Sequence, residues 1–163
     1  MLVYRASRRS RAAFDPLDSS ASVARDGWRF NDKRSEILYT AEVQSLAILE
    51  VAARPGWDTV TELTIAAIKV PDGTVFDLSA LGIVLPSNWN LRPAGPNAQS
   101  IGGEFLAAVD REAAVGRRVC GLRVPSVIST TDHNVLLDPR QTAGFSIASW
   151  SRIPFNWLVG TAT

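Results

Sequence analysis

The sequence predicts an α+β fold in one domain, residues 1–163, and three observations predict it. Short apolar and β-branched runs recur along the chain, two segments carry helical periodicity, and strands do not alternate with helices as a βαβ repeat demands. A chain of 163 residues buries roughly two-thirds of its unfolded surface, which is enough for one core without staples.

The elements follow in order. "LVYRA" at the start reads as a strand. "AFDPLDSSASVARDGWRFN" is rich in turn formers and reads as a long loop, a kind of segment that is often functional. "EILYT" reads as a strand that feeds a helix from about Ala41 to Ala53, with Thr40 as its N-cap and Glu42 in the first turn, where the helix dipole suits a negative charge. "RPGWD" ends that helix by turn chemistry. "VTELTIAAIKVP" is β-branched and apolar, a strand, and "PDGTVFDLSALG" continues as a turn and an irregular segment. "LPSNWNLRPAGPN", dense in Pro and Gly, reads as a second loop. "SIGGEFLAAVDREAAVG" reads as a helix with Gly116 at its C-terminal end. "VCGLRVPSVI" and "NVLLDP" are short strands, and "FSIASWSRIPFNWLV" supplies one or two closing strands.

Composition narrows the function classes. The net charge of +1 gives no global field for nucleic acid. No apolar stretch approaches the ~20 residues of a membrane span, and the first residues lack the apolar core of a signal peptide. The reading is therefore cytoplasmic. One cysteine, Cys120, excludes an internal disulfide framework, and with one histidine, His133, it makes a zinc site of the usual ligands a poor fit, so no metal is expected. There is no P-loop, no G-x-G-x-x-G and no G-x-S-x-G. Locally, Arg5, Arg8, Arg9 and Arg11 make a basic run, either a solvated face or a surface for phosphate or an acidic partner.

Four polar residues stand in unusual places. Glu50 shares a helix face with Ala47, Leu46 and Val43, and an ionised side chain aimed at a core costs several kcal/mol, roughly, unless it is paired or functional. Arg29 lies between two aromatics in "GWRFN". Ser126 follows Pro125 inside a β-branched run. Tyr39 ends the strand before the Glu50 helix. Each has a bland alternative: a satisfied core acid, a surface arginine on an aromatic, a local backbone cap, a core aromatic with its hydroxyl tied off.

Together and in order, "VYRAS", "GWRFN", "ILYTAEVQSLAILEV", "LPSNW", "GGEFL", "RVPSVI" and "NVLLDP" resemble the RES-domain family over nearly the whole chain. The family's Arg, Glu and Ser fall on Arg29, Glu50 and Ser126. Trp28 stands where the family usually has a second Gly, Phe30 and Phe105 stand where Trp is common, and Asp138 replaces an Asn.

The resemblance implies a fold like that of ADP-ribosyltransferases, with split mixed and antiparallel sheets and a few helices. It implies the toxin of a bacterial type II toxin–antitoxin pair that consumes NAD+ as substrate. Glu50 would stabilise the oxocarbenium-like ribose, Arg29 would grip a phosphate or ribose, and Ser126 would hold the nicotinamide ribose or orient Glu50. Tyr39 would stack on nicotinamide or the ribose edge, Arg5 would be a second phosphate ligand, and Asn134 would support the site. Transfer of ADP-ribose to a cellular protein leads, with NAD+ glycohydrolase or phosphorylase activity as the alternative and a catalytically inactive binding module behind both. The partner implied is a small Xre-like antitoxin that plugs the NAD+ cleft, in a hetero-oligomer or beside a toxin homodimer. No direct contact with nucleic acid or membrane is expected.

Overall fold

Alternating apolar residues in the short runs make a sheet, and the two periodic segments pack on one face of it. The computed structural model describes residues 1–24, 26–54 and 60–154. Strands β1 (Leu2–Ser7), β2 (Leu38–Ala41), β3 (Glu62–Lys69), β4 (Val75–Asp77), β5 (Gly121–Pro125), β6 (His133–Leu137) and β7 (Ser146–Pro154) form one seven-stranded mixed sheet in the order β4-β5-β6-β2-β1-β3-β7. Only β4 and β5 run parallel. The helices are α1 (Gln44–Ala52) and α2 (Pro96–Ala114).

The expected split is present as a seam. β2 pairs with β6 over four residue pairs and β1 with β3 over six, but β1 and β2 meet at the single pair Tyr4↔Ala41. The two half-sheets are thus joined into one sheet by a minimal link rather than standing apart.

Helix α2 covers the four-stranded half. Its Ile101, Phe105, Ala108 and Val109 pack with Leu122, Val124 and Leu136 of β5 and β6. Helix α1 covers the seam, setting Leu46 and Ala47 against Ala41 and Tyr4, and Val51 against Leu63. Val3, Leu38, Ile68, Val135 and Leu137 form the core on the opposite face, under Phe145.

Several expectations shift. Helix α1 begins at Gln44 with Val43 as its N-cap, so Thr40 is not the cap. Thr40 belongs to β2, and its hydroxyl donates to the Val135 carbonyl at 2.8 Å. A sheet hydrogen bond in the buried core outcompetes the cap. Glu42 lies before the helix rather than in its first turn, and its carboxylate takes two contacts from Arg123, at 2.7 and 2.8 Å. Helix α2 starts four residues earlier than the reading, because Pro96 at its first positions suits a helix start. The irregular "PDGTVFDLSALG" contains β4 and a 3-10 turn at Leu78–Leu81. The long first loop carries 3-10 turns at Arg11–Ala13 and Ser20–Val23. The "PGWD" turn and the last residues of the closing strand lie outside the described residues.

Candidate active site

A cleft of about 560 Å3 opens where β1 and β2 part, within the range of small-molecule sites. Residues from both faces of the two strands line it, Tyr4 and Arg5 on β1 and Tyr39 and Thr40 on β2, as parting strands require.

Glu50 stands on the cleft wall, half-buried, on the last full turn of α1. It does not enter the core: the inward stripe of α1 is Leu46, Ala47 and Val51, and Val43 is exposed. Its Oε1 accepts from Asn134 Nδ2 at 2.7 Å and from Ser126 Oγ at 3.1 Å. Its Oε2 has no hydrogen-bond partner among the described residues. Ser126 is buried and also accepts from the Ile128 N–H at 3.1 Å, so its local capping role and its contact with Glu50 coexist. The carboxylate is held by one oxygen and presents the other. This is a preorganised arrangement for meeting positive charge or a hydroxyl.

Arg29 sits in a turn closed by a bridge between Trp28 and Asn31. Gly27 makes the turn possible. Its φ is 82°, and a Cβ there would fall 2.2 Å from the Asn31 carbonyl oxygen. The Arg29 NH1 donates to the carbonyls of Trp89 and Leu91, at 2.9 and 2.8 Å, tying the two long loops together. Burial pulls its pKa below the ordinary arginine value, with Arg92 acting in the same sense and Glu50 and Tyr39 opposing. The Tyr39 hydroxyl donates to Asn31 Oδ1 at 2.7 Å and accepts from the Phe30 N–H at 3.1 Å. Burial pushes its pKa well above the ordinary tyrosine value, so it stays neutral.

Arg5 lines the cleft, but its NH1 is engaged by the carbonyls of Pro16 and Asp18, at 2.9 and 2.6 Å, and so tethers the first loop. Arg54, a charged residue of the cleft, was not selected from the sequence. It follows Glu50 by four positions, one helical turn, and that spacing was the available signal. Its guanidinium carbon lies 4.3 Å from the centroid of the Trp28 ring. Arg8, part of the basic run, donates to the carbonyls of Val51 and Arg54, at 3.0 and 3.1 Å, at the end of α1. Burial lowers the pKa of Arg5 and of Arg54 as it does that of Arg29. Among the described residues no salt bridge joins these three to a carboxylate. The cleft combines several guanidiniums with the carboxylates of Asp15, Asp18 and Glu50, of which Glu50 is the one held by Ser126 and Asn134.

Among the described residues no group of three His, Cys, Asp or Glu side chains could hold a metal ion, and no helix is long and apolar enough to cross a membrane.

A mixed seven-stranded sheet opens at a seam whose cleft is lined by several guanidiniums and by the carboxylates of Asp15, Asp18 and Glu50. The model of the RES domain matches residues 2–157, and the chain belongs to the RES domain family. Two similar proteins are named "Toxin Res". One, from Yersinia enterocolitica, is 32% identical over 115 residues, 70% of this chain and 69% of that protein. The other, from Photorhabdus laumondii, is 30% identical over 114 residues, 69% of this chain and 67% of that protein. Among solved structures, the M. tuberculosis MbcT–MbcA toxin–antitoxin complex contains a chain that matches with a TM-score of 0.68 at 16% identity, covering 98% of this chain and 87% of that one.

Proposed function

We propose that the chain is the toxin of a toxin–antitoxin pair and cleaves NAD+ at the nicotinamide–ribose bond, passing ADP-ribose to a cellular protein in the cytoplasm. One observation carries the chemistry: Glu50 is fixed through Oε1 by Ser126 and Asn134, with Oε2 unpartnered among the described residues, in a cleft lined by several guanidiniums. The reading also draws on membership of the RES domain family and on the relatives' names.

The bond to nicotinamide breaks with its electron pair going to the pyridinium ring. The leaving group departs neutral, and no general acid is needed. Positive charge develops on the ribose ring. Glu50 meets that charge electrostatically and takes a hydrogen bond from a ribose hydroxyl on Oε2, without bonding to carbon. Ser126 and Asn134 hold the carboxylate in place, so little reorganisation is required. Arg29 takes a phosphate oxygen through the face of its guanidinium not used by Trp89 and Leu91. Arg5, whose NH1 is committed to the loop, shapes the wall and adds field. Tyr39 fixes the Arg29 turn through Asn31 and Phe30, and the ribose passes its ring edge.

Hydrolysis and phosphorolysis share this bond-breaking step and differ only in the acceptor. The partner is a small antitoxin of the Xre type, which inserts a segment into the cleft. The likeness to a chain of the MbcT–MbcA toxin–antitoxin complex favours an antitoxin as partner.

The test is NAD+ consumption by the purified protein, with mass analysis of products in buffer, with phosphate, and with lysate. A lysate protein that gains ADP-ribose supports transfer. Free or phosphorylated ADP-ribose reassigns the acceptor. Glu50→Gln is expected to keep the fold and lose most turnover, a drop of about 100-fold or more. Wild-type turnover from folded Glu50→Gln protein rules the mechanism out.

A further inference from the structure

Two aromatic side chains of the cleft carry a guanidinium on their face, Phe14 under Arg5 at 5.7 Å and Trp28 under Arg54 at the shorter distance, and nothing in the proposed chemistry uses the Trp28 pair. The Trp28 indole is half-buried in the cleft wall. Its backbone is pinned: Trp28 N–H donates to the Asn31 carbonyl at 2.9 Å, and Gln99 Nε2 donates to the Trp28 carbonyl at 3.1 Å. The ring packs against Tyr39 with centroids 5.1 Å apart and planes at 38°. The Arg54 guanidinium sits over it at 4.3 Å. Both of these neighbours lie within the field of Glu50. The platform and the carboxylate therefore belong to the same end of the cleft.

A guanidinium is a planar, delocalised cation, and such groups bind indole faces best. Whatever replaces Arg54 on this face must offer the same chemistry or lose the contact. The oxidised nicotinamide ring is a planar, delocalised cation too. We infer that Trp28 is a specificity-determining residue, the platform for the pyridinium ring of an oxidised nicotinamide nucleotide, and that Arg54 occupies this platform until substrate displaces it. This rests on the NAD+ reading above. The exchange of one planar cation for another conserves the contact with the indole, and the freed Arg54 is left to take a phosphate oxygen. The neutral, reduced ring of NADH cannot make the same exchange. The platform thus selects NAD+ over NADH by about tenfold, the size of a partly desolvated cation–π contact. The contact fades as the bond breaks, because the departing nicotinamide is neutral. Trp28 therefore strengthens substrate binding and gives nothing to the transition state, so that its loss does not lower kcat.

The test is calorimetric titration of Glu50→Gln protein, which removes turnover and the carboxylate's own preference for a cation. NAD+ is expected to bind about tenfold tighter than NADH. Adding Trp28→Leu is expected to bring the ratio near one, and Trp28→Tyr to retain most of it. Arg54→Met, which uncovers the platform, is expected to tighten binding of the 1-methylnicotinamide cation, a probe without phosphates. In protein with Glu50 intact, Trp28→Leu is expected to raise KM without lowering kcat. Equal affinity for NAD+ and NADH, or a ratio that survives Trp28→Leu, overturns the platform and leaves the NAD+ reading standing. Binding of neither nucleotide overturns both.

Discussion

Replacing Asn134 with Ala removes one of the two donors that hold Glu50 Oε1. The bond is short, 2.7 Å, and its acceptor is a carboxylate. Hydrogen bonds to charged groups contribute about 1.5–3 kcal/mol. Asn134 is half-buried at the cleft, so water replaces part of the loss and the lower end of that range applies. If the bond serves to fix the carboxylate for the transition state, about 1.4 kcal/mol becomes a tenfold fall in kcat. Stability should hardly follow, because Glu50 stands on an open wall and is not left stranded in a core. The expected signature is a tenfold loss of NAD+ turnover with a thermal midpoint within about 3 °C of wild type. Ser126→Ala should lose turnover alike, with an added stability cost because the Ile128 N–H also loses its acceptor, and the double variant should lose less turnover than the product of the two, because both act through one oxygen. Turnover within twofold of wild type in folded Asn134→Ala protein refutes the claim that these donors position Glu50. So does strict multiplicativity in the double variant.

Other predictions follow from the same geometry. A Cβ on Gly102 would fall 2.5 Å from the Phe30 carbonyl oxygen and 3.0 Å from Asn31 Cβ, so Gly102→Ala should push α2 off the Arg29 turn, costing about 1–3 kcal/mol and raising KM, as read by thermal melts and kinetics. Arg29→Lys cannot both bridge the Trp89 and Leu91 carbonyls and hold a phosphate oxygen, and KM for NAD+ should rise about tenfold. The raised pKa of Tyr39 means that the unfolded chain releases this proton first, near its ordinary value of 10.0. Its contribution is complete below pH 10 and is lost as pH climbs above it. In thermal melts, wild type should lose stability more steeply from pH 9 to 11 than Tyr39→Phe does.

The sequence exposed Glu50 because a carboxylate breaks the apolar stripe Val43, Leu46, Ala47, and such a break is a local signal. Its partners could not be read this way. Ser126 and Asn134 meet it only because β5 and β6 run antiparallel, with Pro125 opposite His133. The seam was legible from the family resemblance and not from periodicity, since residue patterns fix which face a strand buries but not where a sheet parts. Thr40 was misread because its hydroxyl is equally suited to cap a helix and to bond across a sheet, and only tertiary packing decides. Arg54 was absorbed into a turn motif, although its four-residue spacing from Glu50 pointed to the same end of α1.

The seam also orders events in time. The chain crosses it four times, passing from β1 to β2, back to β3, over to β4, and finally from β6 to β7. No early portion of the polypeptide completes either half. Ser126 and Asn134 follow Glu50 by 76 and 84 positions. A nascent chain on the ribosome thus displays its acidic residue long before the donors that orient it exist. Contacts this distant in sequence also form slowly. A protein harmful to the cell that makes it gains an interval in which it is present and harmless, and that interval is written into the connectivity of the sheet.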